Sequence, residues 1–426
     1  MRGRWSAIGA AMVGTLALAG CWPAPGQGPD RRSENALETR ITVDSVASLT
    51  EDWTVDTGDV AAGAPVVSPS GVHARSGMIL RTLDRSDGAE LWQFDGTFGA
   101  PTDTMSDPIW QDGTVFVGYG FGNIGGNWEA RVLDAGTGAQ VRDLGGGLVD
   151  GVRGPTAALS TESFGSGGPV AVTLEVQGDI DDPATHWEGV LDVGSLGGVS
   201  RTPATVGADG IFHAGRGPLS TTPSTNPQLG NGVRRFTVEQ PASCSPSPSP
   251  LLPCPEWATA LAGTSSVPPV IAPGQDTVYT GTNLGTVYAL DAATGAVRWS
   301  APVGAAVTGS PALAQGTLFV PTADGDVVAL AAGGCGAPTC SPLWSAPTGS
   351  PVTVQPAVAG GVVFTGSADG SLHGFTAAGC GAATCEPLWS VATGSRITGA
   401  PAVAFGQLFV GTQDGRLIAY APDPDG

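Results

Sequence analysis

Seven cysteines and four histidines are the side chains of this 426-residue chain best suited to metal binding or nucleophilic chemistry. Six of the cysteines fall into short-range pairs: Cys244 with Cys254, Cys335 with Cys340, and Cys380 with Cys385. A Cys-x4-Cys pair can supply two zinc ligands, but no histidine accompanies these pairs, and elements that repeat along the chain would hold them apart. Even numbers of cysteines at recurring positions suit disulfides, each stapling one turn. His73, His186, His213 and His373 lie outside any G-x-S-x-G, H-E-x-x-H or Cys/His pattern, so no hydrolase or metalloprotease constellation is read from them. The acidic run from Asp179 to Asp182, with His186 following, could hold a hard cation. It lacks the glycine and closing glutamate of an EF-hand loop, and a solvated loop is the expected reading.

The cysteine pairs acquire a context from the residues that follow them. Trp257, Trp344 and Trp389 stand just after the three pairs, and Trp299, Trp344 and Trp389 recur at intervals of 45 residues. Before each come alternating apolar residues and a tight turn, as at Asp324-Gly325, Asp369-Gly370 and Asp414-Gly415. Asp-Gly between alternating apolar runs marks a hairpin, because the turn needs positive φ. A repeat of 40–50 residues built this way indicates short four-stranded sheets arranged radially. Units end near Trp92, Leu144, Ser200, Trp257, Trp299, Trp344 and Trp389. A last unit, 400–420, lacks its fourth strand. The strand around Trp53 has nothing before it and can supply the missing one. The expected fold is therefore all-β: an eight-bladed propeller of antiparallel four-stranded blades, spanning 41–426 and closed by the N-terminal strand.

Composition narrows the partners. The formal charge is −20, and the basic residues are all arginine. Duplex nucleic acid is not an expected partner, because phosphate binding needs a basic face. Residues 1–20 read as a signal peptide, with Arg2 and Arg4 ahead of an apolar stretch from Ala7 to Ala19. Leu18-Ala19-Gly20-Cys21 resembles the bacterial lipoprotein cleavage box, which implies lipidation of Cys21 and an extracytoplasmic, membrane-anchored location. Residues 21–40, rich in proline, glycine and polar residues, read as a flexible tether.

The segment Ala289-Leu290-Asp291-Ala292-Ala293-Thr294-Gly295, closing on Trp299, resembles the tryptophan-docking repeat of the quinoprotein-type (PQQ-like) β-propeller family. Thr82 to Trp92 repeats it, and Ile41 to Trp53 resembles the opening strand of such propellers. The resemblance spans 41–421, strongly over 258–421 and weakly over 145–235. It implies that Trp53, Trp92, Trp257, Trp299, Trp344 and Trp389 pack between blades and carry no chemistry. Enzymes of the family bind pyrroloquinoline quinone (PQQ) and Ca²⁺ in the channel, with carboxylate and asparagine ligands, a stacking tryptophan and commonly a disulfide between adjacent cysteines. This chain has no adjacent cysteines, and no matching constellation is found.

The expectation is thus a non-enzymatic, monomeric platform for a protein or ligand in the cell envelope, with no cofactor. Two alternatives are a PQQ-dependent dehydrogenase and an accessory lipoprotein of outer-membrane β-barrel assembly. Connections between second and third strands are read as lengthened at 121–127, 179–186 and 218–232, on three successive units and hence on one face. Tyr119, Phe121, Trp128 and Trp187 flank them and are the candidate anchors for a partner.

Overall fold

The computed structural model describes residues 21–58, 62–97, 103–121, 128–163, 170–194, 202–219, 221, 229–244 and 252–423. Eight antiparallel sheets follow one another around a ring. In blades 1 to 7, strands A to D run in chain order from the axis outward, and A strands of neighbouring blades meet around the centre. Blade 1 is Val66–Ser68, Gly71–Ser76, Ile79–Leu83 and Glu90–Asp95. Blades 5 to 7 follow the same plan, from Val270–Ile271 to Trp389–Ala392. Blade 8 joins Ala402–Ala404, Gln407–Gly411 and Arg416–Pro422 to the N-terminal strand Leu49–Asp56, with Trp53 opposite Ala419. Ring closure by the first long strand is as the repeat count required, and it leaves neither end of the array exposed as a sheet edge.

The repeat sequence encodes the blade-to-blade joint. Trp92, Trp257 and Trp299 are buried, and each indole N–H donates to a turn carbonyl of the next blade: Ala135 at 3.0 Å, Ala292 at 2.9 Å and Ala332 at 3.3 Å. Trp53 does the same to Arg85 at 2.8 Å across the closure. The turn glycine of that next blade lies flat on the indole. A Cβ on Gly295 would approach Trp257 to 2.4 Å, and one on Gly334 would approach Trp299 to 2.6 Å. Both glycines have positive φ, so neither room nor backbone allows another residue. Beneath each indole is an aromatic from strand B of its own blade, as with Trp257 on Phe212, Trp299 on Tyr279 and Trp344 on Phe319. In blade 1 that place is held by His73, under Trp92.

All three disulfides form as the cysteine spacing indicated, each between strands C and D. Two of them serve a neighbour. The Cys335–Cys340 loop accepts from Ser300 N–H through the Pro338 carbonyl at 2.9 Å, and Cys340 N–H donates back to Ser300 at 2.8 Å. The Cys380–Cys385 loop does the same at Ser345, so each covers the outer edge of the preceding blade.

Blade 3 departs from the sequence reading. Its strands are Leu148–Arg153, Thr156–Ser163, Val170–Asp179 and Asp182–Gly194. The 179–186 segment is therefore a tight C–D turn entering strand D, and the lengthened B–C connection is 164–169, outside the described residues. The misreading came from Leu191-Asp192, which imitates the Leu-Asp that ends strand C elsewhere. Trp187 is then the docking tryptophan of this blade, donating to the Val238 carbonyl at 3.0 Å. In blade 2 the same place is taken by Arg142, opposite Val132, with a guanidinium donating to the Ile180 carbonyl.

Candidate functional site in the central channel

The candidate site lies on the propeller axis, where the strand order of blade 2 breaks. Its A strand comes in two pieces, Asp103–Met105 and Ile109–Gln111, both paired with Thr114–Phe121. Pro108 has no N–H to give the ladder, and the chain bulges inward between the pieces. Ser106 pins the bulge: its N–H donates to the Gly118 carbonyl at 2.7 Å, and its hydroxyl accepts from Gly118 N–H at 3.0 Å. Asp107 therefore projects into the channel from a fixed backbone.

Arg75, at the end of strand B of blade 1, meets it, Nε to Oδ1 at 2.7 Å, with both side chains half-buried. Gly63 makes room for this pair, since a Cβ there would fall 2.2 Å from the Asp107 oxygen and 2.8 Å from Arg75 Cγ. Deeper in the channel is Asp150, a buried carboxylate. Its Oδ1 accepts from the Ser160 hydroxyl at 2.8 Å and its Oδ2 from Ala204 N–H at 2.9 Å, tying blade 3 to blade 4. Arg75, Asp107, Asp150, Ser106 and Arg31 line one cavity of about 240 Å³. Chemically it offers a paired carboxylate and guanidinium, a hydroxyl and a second carboxylate, within a wall of backbone and small apolar groups. A carboxylate so placed can accept a proton from a bound hydroxyl while its arginine keeps the charge balanced.

The floor of the cavity is the segment from Ala24 to Arg31. Composition indicated a tether over 21–40; the structure instead lays this stretch across the channel as a strap. Trp22 exchanges hydrogen bonds with Val67 of blade 1 at 2.7 and 2.8 Å, and Trp110 N–H of blade 2 donates to Pro23. Arg31 donates to the Asp150 carbonyl in blade 3. Asp30, Arg32 and Ser33 accept from Ile271, Leu313 and Val358 of blades 5, 6 and 7, and Glu34–Asn35 pairs in parallel with Val358–Ala359. A segment of turns and bends finds its partners in the A-strand backbones, whose unpaired groups would otherwise face the channel. Cys21 is buried at the start of the strap, and burial pushes its thiol up to about 11, with Arg85 pulling the other way.

The four aromatics chosen as partner anchors are not brought together. Tyr119 is buried, its hydroxyl donating to Glu129 at 2.7 Å and its ring edge-on to Phe94. Trp187 is buried in the blade joint described above. Trp128 is half-buried at the start of strand C of blade 2. Phe121 ends strand B, its side chain and residues 122–127 lying outside the described residues. Flanking a connection does not set a side chain's direction, and strand alternation points Tyr119 and Trp187 into the core. The Arg75–Asp107 pair was missed because its members are 32 residues apart and carry no motif; Pro108 beside Asp107 was the available signal.

Comparison with known proteins finds PQQ-like β-propeller repeats in the C-terminal part of the chain. Residues 255–335 and 334–424 each match the family described as outer membrane protein assembly factor BamB. Among curated proteins no sequence match reaches significance. Quinohemoprotein alcohol dehydrogenase from Comamonas testosteroni superposes with a TM-score of 0.70 at 15% identity, over 97% of this chain and 82% of that one. A europium-containing methanol dehydrogenase gives 0.64 at 14%, over 96% and 99%. BamB from Moraxella catarrhalis gives 0.56 at 16%, over 88% and 99%. Identities this low show a shared fold. The expectation of a platform without chemistry is not upheld by these matches: the fold is shared with two dehydrogenases at TM-scores of 0.70 and 0.64, against 0.56 for the assembly factor.

Proposed function

We propose that this protein is an enzyme related to the quinoprotein dehydrogenases, acting on a small hydroxylated molecule in the channel cavity. The observation that carries the reading is the Asp107–Arg75 pair, set on a broken inner strand and facing a cavity of about 240 Å³. Arg75 orients the carboxylate, Asp107 receives the substrate hydroxyl and takes its proton, the carbon-bound hydrogen leaves with its electron pair to an external electron acceptor as the carbonyl forms, and the Ser106 bulge holds both residues in register. The fold likeness to two dehydrogenases supports this choice over a purely structural role.

The cofactor pair of the resembling enzymes does not fit these residues. Among the described residues no group of three or more His, Cys, Asp or Glu side chains could hold a metal ion. Both Asp150 oxygens are already committed to Ser160 and Ala204, the tryptophans at the repeat positions are docked between blades, and the strap fills the lower channel. No step is routed through PQQ or Ca²⁺.

The reading includes an extracytoplasmic location, supported by the signal-like N-terminal sequence and by the three disulfides. Purified full-length protein should reduce an artificial electron acceptor when offered short alcohols, polyols or hydroxy acids. The assay is run with and without added PQQ and Ca²⁺. Absence of substrate-dependent reduction across the panel in both conditions would contradict the proposal.

A further inference from the structure

We propose that residues 23–35 are a releasable plug, and that their withdrawal opens the channel from the face carrying the A–B turns. The inference deepens the enzymatic reading by naming what controls that site, and it rests on that reading only for its purpose. Its mechanics stand on three observations.

The ring does not need the plug. Blade 8 is closed by Leu49–Asp56, downstream of it, and every blade has its strands without it. Its only ladder is the two-residue parallel pairing of Glu34–Asn35 with Val358–Ala359; Trp22, just ahead of it, makes a reciprocal bridge with Val67, and the other backbone contacts to the blades are single hydrogen bonds. Leaving the channel would thus break no blade.

The plug has a fixed base and a strained, charged body. Glu38, buried, accepts from the backbone N–H groups of Arg40 at 2.7 Å, Ile41 at 3.2 Å and Gly406 at 2.9 Å, which anchors the chain just beyond the plug. Above that base, Gln27, Arg31 and Ser33 all hold φ between 55° and 58°, a region that non-glycine residues rarely adopt. Asp30 gathers Arg153, Arg32 and Gln275 around one carboxylate, and Arg32 also reaches Glu34 at 3.6 Å. These ion pairs hold the middle of the segment together with the Gln355 amide, which donates to the Arg31 carbonyl at 2.8 Å, and the buried Ser33 hydroxyl, which donates to the Pro356 carbonyl at 2.6 Å; salt weakens the partly exposed pairs. Trp22, just ahead of the segment, is fully buried in the core, so the opening is assigned to the stretch beyond it, where local strain is the mark of a segment that opens below the global unfolding free energy.

The plug also accounts for the shape of the cavity. Ala24, Gly28, Pro29 and Arg31 form its floor, so removing them converts a closed cup into a channel open at both ends.

Hydrogen exchange on the full-length protein tests this directly. Amides of Gln27, Arg31 and Ser33 should exchange at least tenfold faster than those of the inner strands at 148–153 and 312–314. Asp30→Asn, or 0.5 M salt on the unaltered protein, should accelerate the plug by a further several-fold and leave the inner strands unchanged. A disulfide formed in the double variant Asn35→Cys, Ala359→Cys should slow it toward the inner-strand rate. A single common rate for plug and inner strands, insensitive to both charge removal and salt, would overturn the proposal. If the plug exchanges as expected while no substrate is turned over, the plug stands and the enzymatic reading falls.

Discussion

At the scale of single residues, each docking indole fills the wedge between blades and also satisfies a turn carbonyl that the wedge would otherwise bury. Trp299→Ala should therefore cost about 3–5 kcal/mol, the range for emptying a buried aromatic site, measured by denaturant unfolding. Trp299→Phe should cost less, keeping the ring and losing the bond to Ala332. Gly334→Ala should be nearly as harmful as the tryptophan truncation, because its Cβ meets Trp299 and its φ is 80°. His73 yields a pH prediction. Buried between Ser68 and Thr82, it is held neutral, its pKa lowered by burial to about 3. The unfolded chain takes up a proton near pH 6.5 while the folded one does not, so stability falls as pH drops from about 6.5 toward 3. In His73→Gln this part of the decline should vanish, which urea titrations at pH 7, 5.5 and 4.5 would detect. The tryptophan joints were readable in the sequence because a large residue recurs after a fixed turn. Arg142 and His73, which occupy the same kinds of place with different chemistry, were not.

Strands and loops obey the repeat wherever the turn chemistry is clean. Blades 5 to 8 could be drawn strand by strand because Asp-Gly and Thr-Gly turns fix the register. Blade 3 could not, because Leu191-Asp192 inside its long fourth strand imitates the Leu-Asp that ends strand C in other blades. The strap was beyond sequence reasoning for another reason: proline and glycine signal a lack of regular structure, and that says nothing about whether other elements will bind the segment. Ring closure gives the prediction for this scale. Deleting residues through Asp56 removes the fourth strand of blade 8 and should abolish cooperative melting near the native temperature. Deleting only through Asn35 should leave a folded ring, because blade 8 remains whole. Calorimetry on the two truncations separates them, and equal melting would contradict the shared blade. For the Cys335–Cys340 loop, Cys335→Ser with Cys340→Ser should lower stability by about 2 kcal/mol in the chain-entropy account and expose the Ser300 amide to exchange, since that loop covers it.

For the molecule as a whole, the eight sheets form a rigid cylinder whose irregularities are concentrated on the axis. The broken A strand of blade 2, the buried Asp150 and the strap all meet there, whereas Tyr119 and Trp187, first considered for docking, are buried in the blades. This distribution favours the channel over the rim as the place where the protein acts, and it makes one comparison decisive. Turnover should be measured for the unaltered protein, for Asp107→Asn, and for Trp128→Ala as a rim control, using the substrate that gives the fastest dye reduction. Removing the proton-accepting carboxylate should lower kcat at least a hundredfold, within the range expected for loss of a general base, with the fold intact by circular dichroism. Trp128→Ala should stay within about twofold of the unaltered rate, since surface changes away from the chemistry are mostly tolerated. Undiminished turnover in Asp107→Asn, or a loss confined to Trp128→Ala, would contradict the assignment of the reaction to the channel.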